Sequence, residues 1–585
     1  MLYGDLGTSK AYVIGLAFVA SQFSSFPIIL AVCALTGFVA YNYLLICRHF
    51  PDGGSVYSAA RDQSRLLAVM GALLLVAGLT VTASMSVWSG LSYFGVPKAY
   101  IPAASIGVIL LFAVINFFGP KHSGSLAMVL ALPMVFVVLL VVGCSLPHLT
   151  LAHLEPMHGG FAKNWVAFTG VILALSGVET VANLTGVLKL DIGATMDKPK
   201  VKRETRLTIL PVAVEVVFGT ALLGWAMLSL PTELTPQIEA RYEDMVRFLA
   251  EYYGSLTFGP TVAKWIGLVV GLVVGLVLFS AVNTAITAMI GLGYMLARDG
   301  EMPRSFARLN RFGVPWIPLA LAAALPILVV VFATDLTFLA NLYAIGVVGA
   351  ITVNLGSCAI NKSLDFRWWE RALLALTFVV LFAVEITIAK TKHEALFFVV
   401  CIVGGGLGLR AYSQRLAGLR TLTVSREIAA AVNPGSVPEF RINLSPGQTL
   451  LVAARGLTPV LGFALEEARL RQGSLYVLYV KEVAVLLPGR LQNPHRPRWQ
   501  DDPQATSILT RMMELGRQQG VPVVPVYTVS ENPSATILDT SATLGIDILI
   551  LGGSHRRTLA KVLKGNVVSN VARNLPENIQ LLIYG

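Results

Sequence analysis

From Ser9 to Leu409 the chain is a succession of apolar runs, each broken by a short connection containing charge, proline or glycine. Runs of roughly twenty apolar residues predict membrane-spanning helices rather than the shorter helices of a soluble core. About twelve are predicted by this criterion. They cover Ser9 to Gln22, Phe26 to Cys47, Leu66 to Phe94, Ile101 to Phe118, Ser125 to Leu146 and Trp165 to Leu188 in the first half. Ile209 to Leu230, Val262 to Leu296, Trp316 to Leu336, Phe338 to Ile360, Ala372 to Ala389 and Ala395 to Leu409 follow in the second. Past Tyr412 the pattern changes to short β-branched runs between amphipathic stretches. Thr449 to Ala454, Ser474 to Val480, Pro522 to Val529, Ile548 to Leu551 and Gln580 to Tyr584 read as strands. Pro459 to Arg471, Ala505 to Gln519, Ser534 to Leu544 and Thr558 to Asn574 read as helices. Such alternation predicts an open parallel sheet with helices on both faces. The expected organisation is a membrane domain over 1–412, a linker over 413–446 containing Asn433-Pro434-Gly435, and an α/β domain over 447–585.

Composition narrows the class. Of the 585 residues 55% are hydrophobic and only 13% charged, and the mean hydropathy is +0.70, which excludes an ordinary soluble protein. The first apolar run has no basic leader and no small-residue cleavage site, so it does not read as a signal peptide. The five cysteines, Cys33, Cys47, Cys144, Cys358 and Cys401, lie in or beside apolar runs and have no metal-ligand spacing. With a cytoplasmic N-terminus, the inside connections carry Lys198, Lys200, Lys202, Arg203, Arg206, Arg298, Arg304, Arg308 and Arg311. The connection from Pro231 to Gly259 carries Glu233, Glu239, Glu243, Asp244 and Glu251 and reads as a long exterior loop. The net charge of +11 is thus mainly a topology signal in the plasma membrane, not a nucleic-acid footprint. The basic stretch Arg410, Arg415 and Arg420 predicts a cytoplasmic C-terminal domain.

The candidate chemistry lies in the apolar part. Asp5, in Tyr3-Gly4-Asp5-Leu6-Gly7-Thr8-Ser9, opens the first run, and ionisable groups in membrane spans mark functional sites. Gly4 and Gly7 weaken a helix where an ion or substrate would use free backbone groups. A helix broken there should have a preceding half, so a longer natural start than Met1 is expected. Ser176-Gly177-Val178-Glu179 puts a second glycine and acid mid-run, and paired interrupted helices point to a midplane binding site. Ala77, Thr80 and Ser84 share a helical face. Such hydroxyls serve equally as packing residues between helices. Ser280, Asn283 and Thr284 offer either a second ion site or interhelical bonding. Glu215 and Glu385 are buried-acid candidates for a proton carrier or a residue snorkelling at a helix end. His148, His153 and His158 read as solvated loop residues. No catalytic triad, metal cluster or Walker sequence is present, so the chain reads as a transporter and not an enzyme, with no cofactor required for transport.

The motif Gly4-Asp5-Leu6-Gly7-Thr8-Ser9 with Tyr12 resembles the first helix of KUP-type potassium importers in the amino acid-polyamine-organocation (APC) superfamily. Leu79-Thr80-Val81 with Ser84 and Ser86, Ser176-Gly177-Val178-Glu179 and Leu342-Tyr343-Ala344-Ile345-Gly346-Val347 resemble the third, sixth and tenth helices of its KimA-type branch. Pro51-Asp52-Gly53-Gly54-Ser55-Val56-Tyr57 is similar to a signature shared by amino-acid permeases of the superfamily. The resemblance implies a LeuT-like fold of two inverted five-helix repeats plus two helices, and proton-coupled potassium transport. It implies Asp5, Tyr12, Thr80, Ser84, Ser176 and Tyr343 as ion-site residues and Glu179 as an acid of the gate or proton path. Val76 and Ala77 stand where the group carries an Asp-Tyr pair. The residues by themselves suit a monovalent cation, held by oxygens around Asp5, and leave open an amino acid or other small organic solute.

The C-terminal stretch resembles universal stress proteins through Gly552-Gly553-Ser554-His555-Arg556-Arg557 and Gly565-Asn566. Glycine loops at a helix N-terminus cradle anions with backbone amides. The resemblance implies an adenine nucleotide on Gly552, Gly553, Ser554, Gly565 and Asn566, and a homodimer through this domain. Arg556 takes the second glycine position of the loop, and Ala453-Ala454-Arg455 lacks the acid usual after the first strand.

Overall fold

A computed structural model describes residues 7–50, 56–61, 63–119, 123–157, 160–172, 191, 201–416, 448–483, 499–530, 532–552, 567–576 and 579–584. Among the described residues the longer helices of the apolar part are α1 Lys10–Ser21, α2 Phe26–Ile46, α3 Arg65–Tyr93, α4 Ile101–Phe117, α5 Ser123–Ser145, α6 Gly160–Val171, α7 Lys202–Leu228, α8 Met245–Phe258, α9 Pro260–Arg298, α10 Trp316–Phe332, α11 Leu336–Ile360, α12 Trp368–Thr391 and α13 His393–Leu416. Among the described residues, eight helices are long and apolar enough to cross a membrane, and the apolar helices Leu132–His148 and Trp316–Phe332 are shorter. The chain is a multi-pass membrane protein.

Local chemistry sets the helix starts. Ser64 caps α3 by accepting from the amide of Leu67, and Asp335 caps α11 by accepting from Phe338 at 2.7 Å. Pro27 stands in the first turn of α2, where a missing amide is harmless. Helices α3 and α11 form the centre and are buried along almost their whole length, whereas α12 and α13 turn Leu376, Val379, Phe397 and Val400 outward. Outward apolar side chains are what lipid contact requires.

The connection expected as an exterior loop is instead helical. Besides the short helix Thr235–Ala240 it forms α8, with Met245, Leu249 and Tyr253 buried against the bundle. Those apolar residues recur every four positions, a helical stripe that the surrounding acids obscured. His148 is exposed, as a solvated residue should be, and stacks on Tyr253 at 6.0 Å between centroids, whereas His153 departs from expectation, half-buried with its ring meeting the edge of Phe23 at 6.4 Å. His158 lies outside the described residues.

The C-terminal domain is a five-stranded, all-parallel sheet in the order β3-β2-β1-β4-β5. The strands are β1 Thr449–Ala454, β2 Ser474–Glu482, β3 Val523–Ser530, β4 Ile548–Gly552 and β5 Gln580–Tyr584. Helices α14 Pro459–Leu470, α15 Pro503–Gln519, α16 Pro533–Thr543 and α17 Val567–Asn574 intervene. Each sheet face has its own core. Leu450, Val452 and Ile550 pack on α14 and α15, and Leu451, Leu549 and Leu551 on α16 and α17. This doubly covered parallel sheet is the one the strand and helix alternation predicted.

Candidate functional site

The first helix is buried from Lys10 to Phe18. Tyr12 on α1 has no exposed surface, and neither has Lys10. The hydroxyl of Tyr93, at the end of α3, donates to the carbonyl of Ala11 at 2.6 Å and accepts from the amide of Val246 on α8 at 3.3 Å. One tyrosine thus ties the first helix, α3 and α8 together. A Cβ on Gly15 would lie 1.9 Å from the Tyr242 carbonyl oxygen, so only glycine lets that connection close on α1. Lys10 donates to both carboxylate oxygens of Glu215, in the middle of α7, at 2.5 and 2.6 Å. Tyr93→Phe strands the Ala11 carbonyl and the Val246 amide. Each unsatisfied buried group costs about 1–3 kcal/mol, so the detergent-solubilised variant is expected to melt several degrees lower; an unchanged melting curve would refute this linking role.

A second polar level lies farther along α3. Thr80 donates to the carbonyl of Val76 at 2.8 Å and touches the Met289 sulfur of α9 at 3.5 Å. Ser84 donates to the carbonyls of Thr80 at 3.0 Å and Pro326 of α10 at 3.1 Å. The backbones of α3 and α11 almost touch, because a Cβ on Gly346 would stand 2.7 Å from the amide nitrogen of Gly78. Gly71 faces Val353 seven residues away on each helix, so the two run antiparallel and Tyr343 lies level with Thr80 and Val81. Buried Ser86 and Ser89 hydroxyls of α3 have no hydrogen-bond partner among the described residues.

Ser280, Asn283 and Thr284 sit on α9. Asn283 accepts from the side-chain amide of Asn116 on α4 at 2.7 Å, and Asn116 in turn accepts from Thr287 at 3.1 Å. Thr284 donates to the Ser280 carbonyl at 3.0 Å. This is a bonded contact between α4 and α9. Half-buried Glu385 of α12 lies against Gly349 of α11, and its Oε2 has no hydrogen-bond partner among the described residues. Among the described residues no group of three or more His, Cys, Asp or Glu side chains could hold a metal. Asp5, Ser176 and Glu179 lie outside the described residues.

In the C-terminal domain the strand order reverses at β1, so the crevice beyond the carboxyl ends of β1 and β4 is where a doubly wound sheet takes its ligand. Ala454 and Gly552 end those strands. Gly553, Ser554, Gly565 and Asn566 lie outside the described residues. Tyr479 and Tyr527 stack at 6.0 Å on neighbouring strands β2 and β3. Burial, and secondarily Asp502, push the Tyr479 phenol up to about 12, so it stays a donor to Gln504 at 3.1 Å.

The family model described as amino acid permease matches residues 1–407. The chain belongs to that family. The universal stress protein family model matches residues 452–579 of this permease. The "Potassium transporter KimA" of Bacillus subtilis (strain 168) is 26% identical to it over 437 residues, 69% of this chain and 68% of that protein. Among solved structures it is similar to a universal stress protein in complex with cAMP, at 19% identity and a TM-score of 0.18, over 23% of this chain and 95% of that one. It is also similar to the universal stress protein from Archaeoglobus fulgidus, at 23% identity and a TM-score of 0.18, over 24% of this chain and 93% of that one.

Several residues that organise the permease site escape a reading by motif. Lys10 stands beside the Thr8-Ser9 signature, and its mid-membrane partner Glu215 is 205 positions away. Tyr93 ends a span, where an aromatic residue ordinarily marks the membrane interface. Asn116 was the one detectable signal, an amide within an apolar run. The structure brings Tyr343 level with Thr80, and Ala11 beside Tyr93, on two levels thirteen residues apart along α3, roughly 20 Å at 1.5 Å per residue.

Proposed function

We propose that this permease takes up a monovalent cation, potassium, coupled to protons, by alternating access of two inverted repeats in a LeuT-like arrangement. The observation that carries this reading is the buried polar face of α3, where Thr80 touches Met289 of α9 and Ser84 donates to the Pro326 carbonyl of α10, with Tyr343 of α11 at the same height along the helix. Asp5 supplies the anionic ligand. Tyr12 and Ser176 complete the oxygen set, and Glu179 serves the gate or proton path. The relative named as a potassium transporter supports the choice of ion. A second reading, uptake of an amino acid or other small organic solute, has the family description in its favour.

The test is potassium rescue of a strain lacking its own uptake systems, beside labelled amino-acid uptake in proteoliposomes. Rescue without amino-acid uptake is the expected result. Amino-acid uptake without potassium flux would sink the first reading.

The C-terminal domain is proposed to lie in the cytoplasm, to bind an adenine nucleotide at the β1–β4 crevice and to pair two copies of the chain. Its β5 edge exposes Ile583 and Tyr584, an open strand suited to a partner. Ile583→Lys is expected to convert a dimer in detergent to a monomer by light scattering, with ATP binding retained. A wild-type monomer would refute the pairing.

A further inference from the structure

We infer that Ser86 and Ser89 form a transit site for the transported cation between the Tyr93 anchor and the Thr80 level, in the interface that α1 closes in this structure. The inference rests on the cation reading above.

Six hydroxyl residues follow one another along α3: Thr80, Thr82, Ser84, Ser86, Ser89 and Ser92. A hydroxyl within a helix commonly donates to the carbonyl four residues back, the one acceptor always within reach. Thr80 does so at 2.8 Å, Thr82 at 3.0 Å, Ser84 at 3.0 Å and Ser92 at 3.2 Å. Ser86 and Ser89 do not. Both are 0% exposed, and neither hydroxyl has another partner among the described residues. A buried donor left unmade costs about 1–3 kcal/mol, and the bond that would avoid this is the one their neighbours on the same helix make.

The two serines share a helical face with Tyr93, at positions i, i+3 and i+7. On one side of that face Gly78 meets Val347 of α11, and on the other Gly90 meets Phe279 of α9. The face itself turns to α1, where the Tyr93 hydroxyl donates to the Ala11 carbonyl. There a whole tyrosine bridges the two helices. About one and two turns away along α3, roughly 6 and 10 Å at 1.5 Å per residue, stand serines, whose side chains are too short to bridge a gap that a tyrosine spans. Alternating access rocks one bundle of helices against the other, and a state that parts α1 from α3 gives both hydroxyls the partner they lack here. Neutral oxygens about one turn apart replace part of a monovalent ion's water shell and still release it, as a transit position requires.

Removing these hydroxyls should therefore harm transport and not the fold. Serines kept for packing alone would leave transport unchanged, and serines with a bonded partner would lower stability when truncated. The experiment is potassium uptake by the full-length protein in proteoliposomes, with initial rates across a concentration series, beside melting in detergent. Ser86→Ala and Ser89→Ala are each expected to raise the apparent KM by about threefold or more, and the double variant by about tenfold or more, with melting unchanged or raised. Ser89→Cys on a Cys401→Ser parent is expected to react with a membrane-impermeant thiol reagent in low potassium, several-fold more slowly when potassium is added. An unchanged KM in the double variant, a lowered melting temperature in either alanine variant, or a Ser89→Cys protein that reacts no faster than its parent or is not protected by potassium would each overturn the inference, leaving the cation reading intact. Wild-type vesicles that accumulate no potassium, rubidium or sodium would overturn the cation reading, and this inference with it.

Discussion

Gly346→Ala is expected to reduce uptake by about tenfold or more at equal reconstituted protein, and to lower the melting temperature in detergent. The added Cβ would stand 2.7 Å from the amide nitrogen of Gly78 and 3.1 Å from the carbonyl carbon of Ala77. Both atoms are backbone, so no rotamer change relieves the clash and α11 must move away from α3. Overpacking of this kind costs about 1–3 kcal/mol. Uptake is expected to fall along with stability because the displaced helices α3 and α11 carry Thr80, Ser84 and Tyr343. Gly78→Ala is the internal control. Its Cβ would meet Cγ2 of Val347 at 2.5 Å, a side chain that can rotate, and a smaller loss is expected. Wild-type uptake and melting in Gly346→Ala would show that the helices do not cross there.

How far the fold could be read from the sequence depended on range. Most apolar runs marked helices of the membrane part, with ends out by up to seven residues at α7 and α13, because burial in lipid leaves a signal that needs no partner; the run Trp165 to Leu188 lies largely outside the described residues. The strands and helices of the C-terminal domain were equally plain, since β-branched runs and amphipathic stretches alternate there. The exterior connection failed because acids dominate it, and its apolar stripe of Met245, Leu249 and Tyr253 becomes meaningful only against the surface it covers. The site divides in the same way. Thr80 was visible as a hydroxyl in an apolar run and Tyr343 only through the family resemblance, but the crossing at Gly78 and Gly346 that sets them level is a meeting of two glycines far apart in sequence, and neither announces the other. Lys10 shows the difficulty most clearly. A lysine near the end of a span normally reads as snorkelling, and only the fold reveals that its ammonium points inward to Glu215.

Asp5→Asn is expected to abolish potassium uptake, by at least ~100-fold, while leaving the protein folded. A buried cation that loses its one anionic ligand forfeits on the order of 3–5 kcal/mol, and each 1.4 kcal/mol is a factor of ten. Asparagine keeps the size and one carbonyl oxygen, so the backbone of the first helix and its anchor at the Tyr93 hydroxyl remain as they are. The loss should therefore appear in rate and affinity, with melting behaviour preserved. Uptake by Asp5→Asn at the wild-type rate would remove the aspartate from the site and, with it, the electrostatic basis for choosing a cation over a neutral or zwitterionic solute.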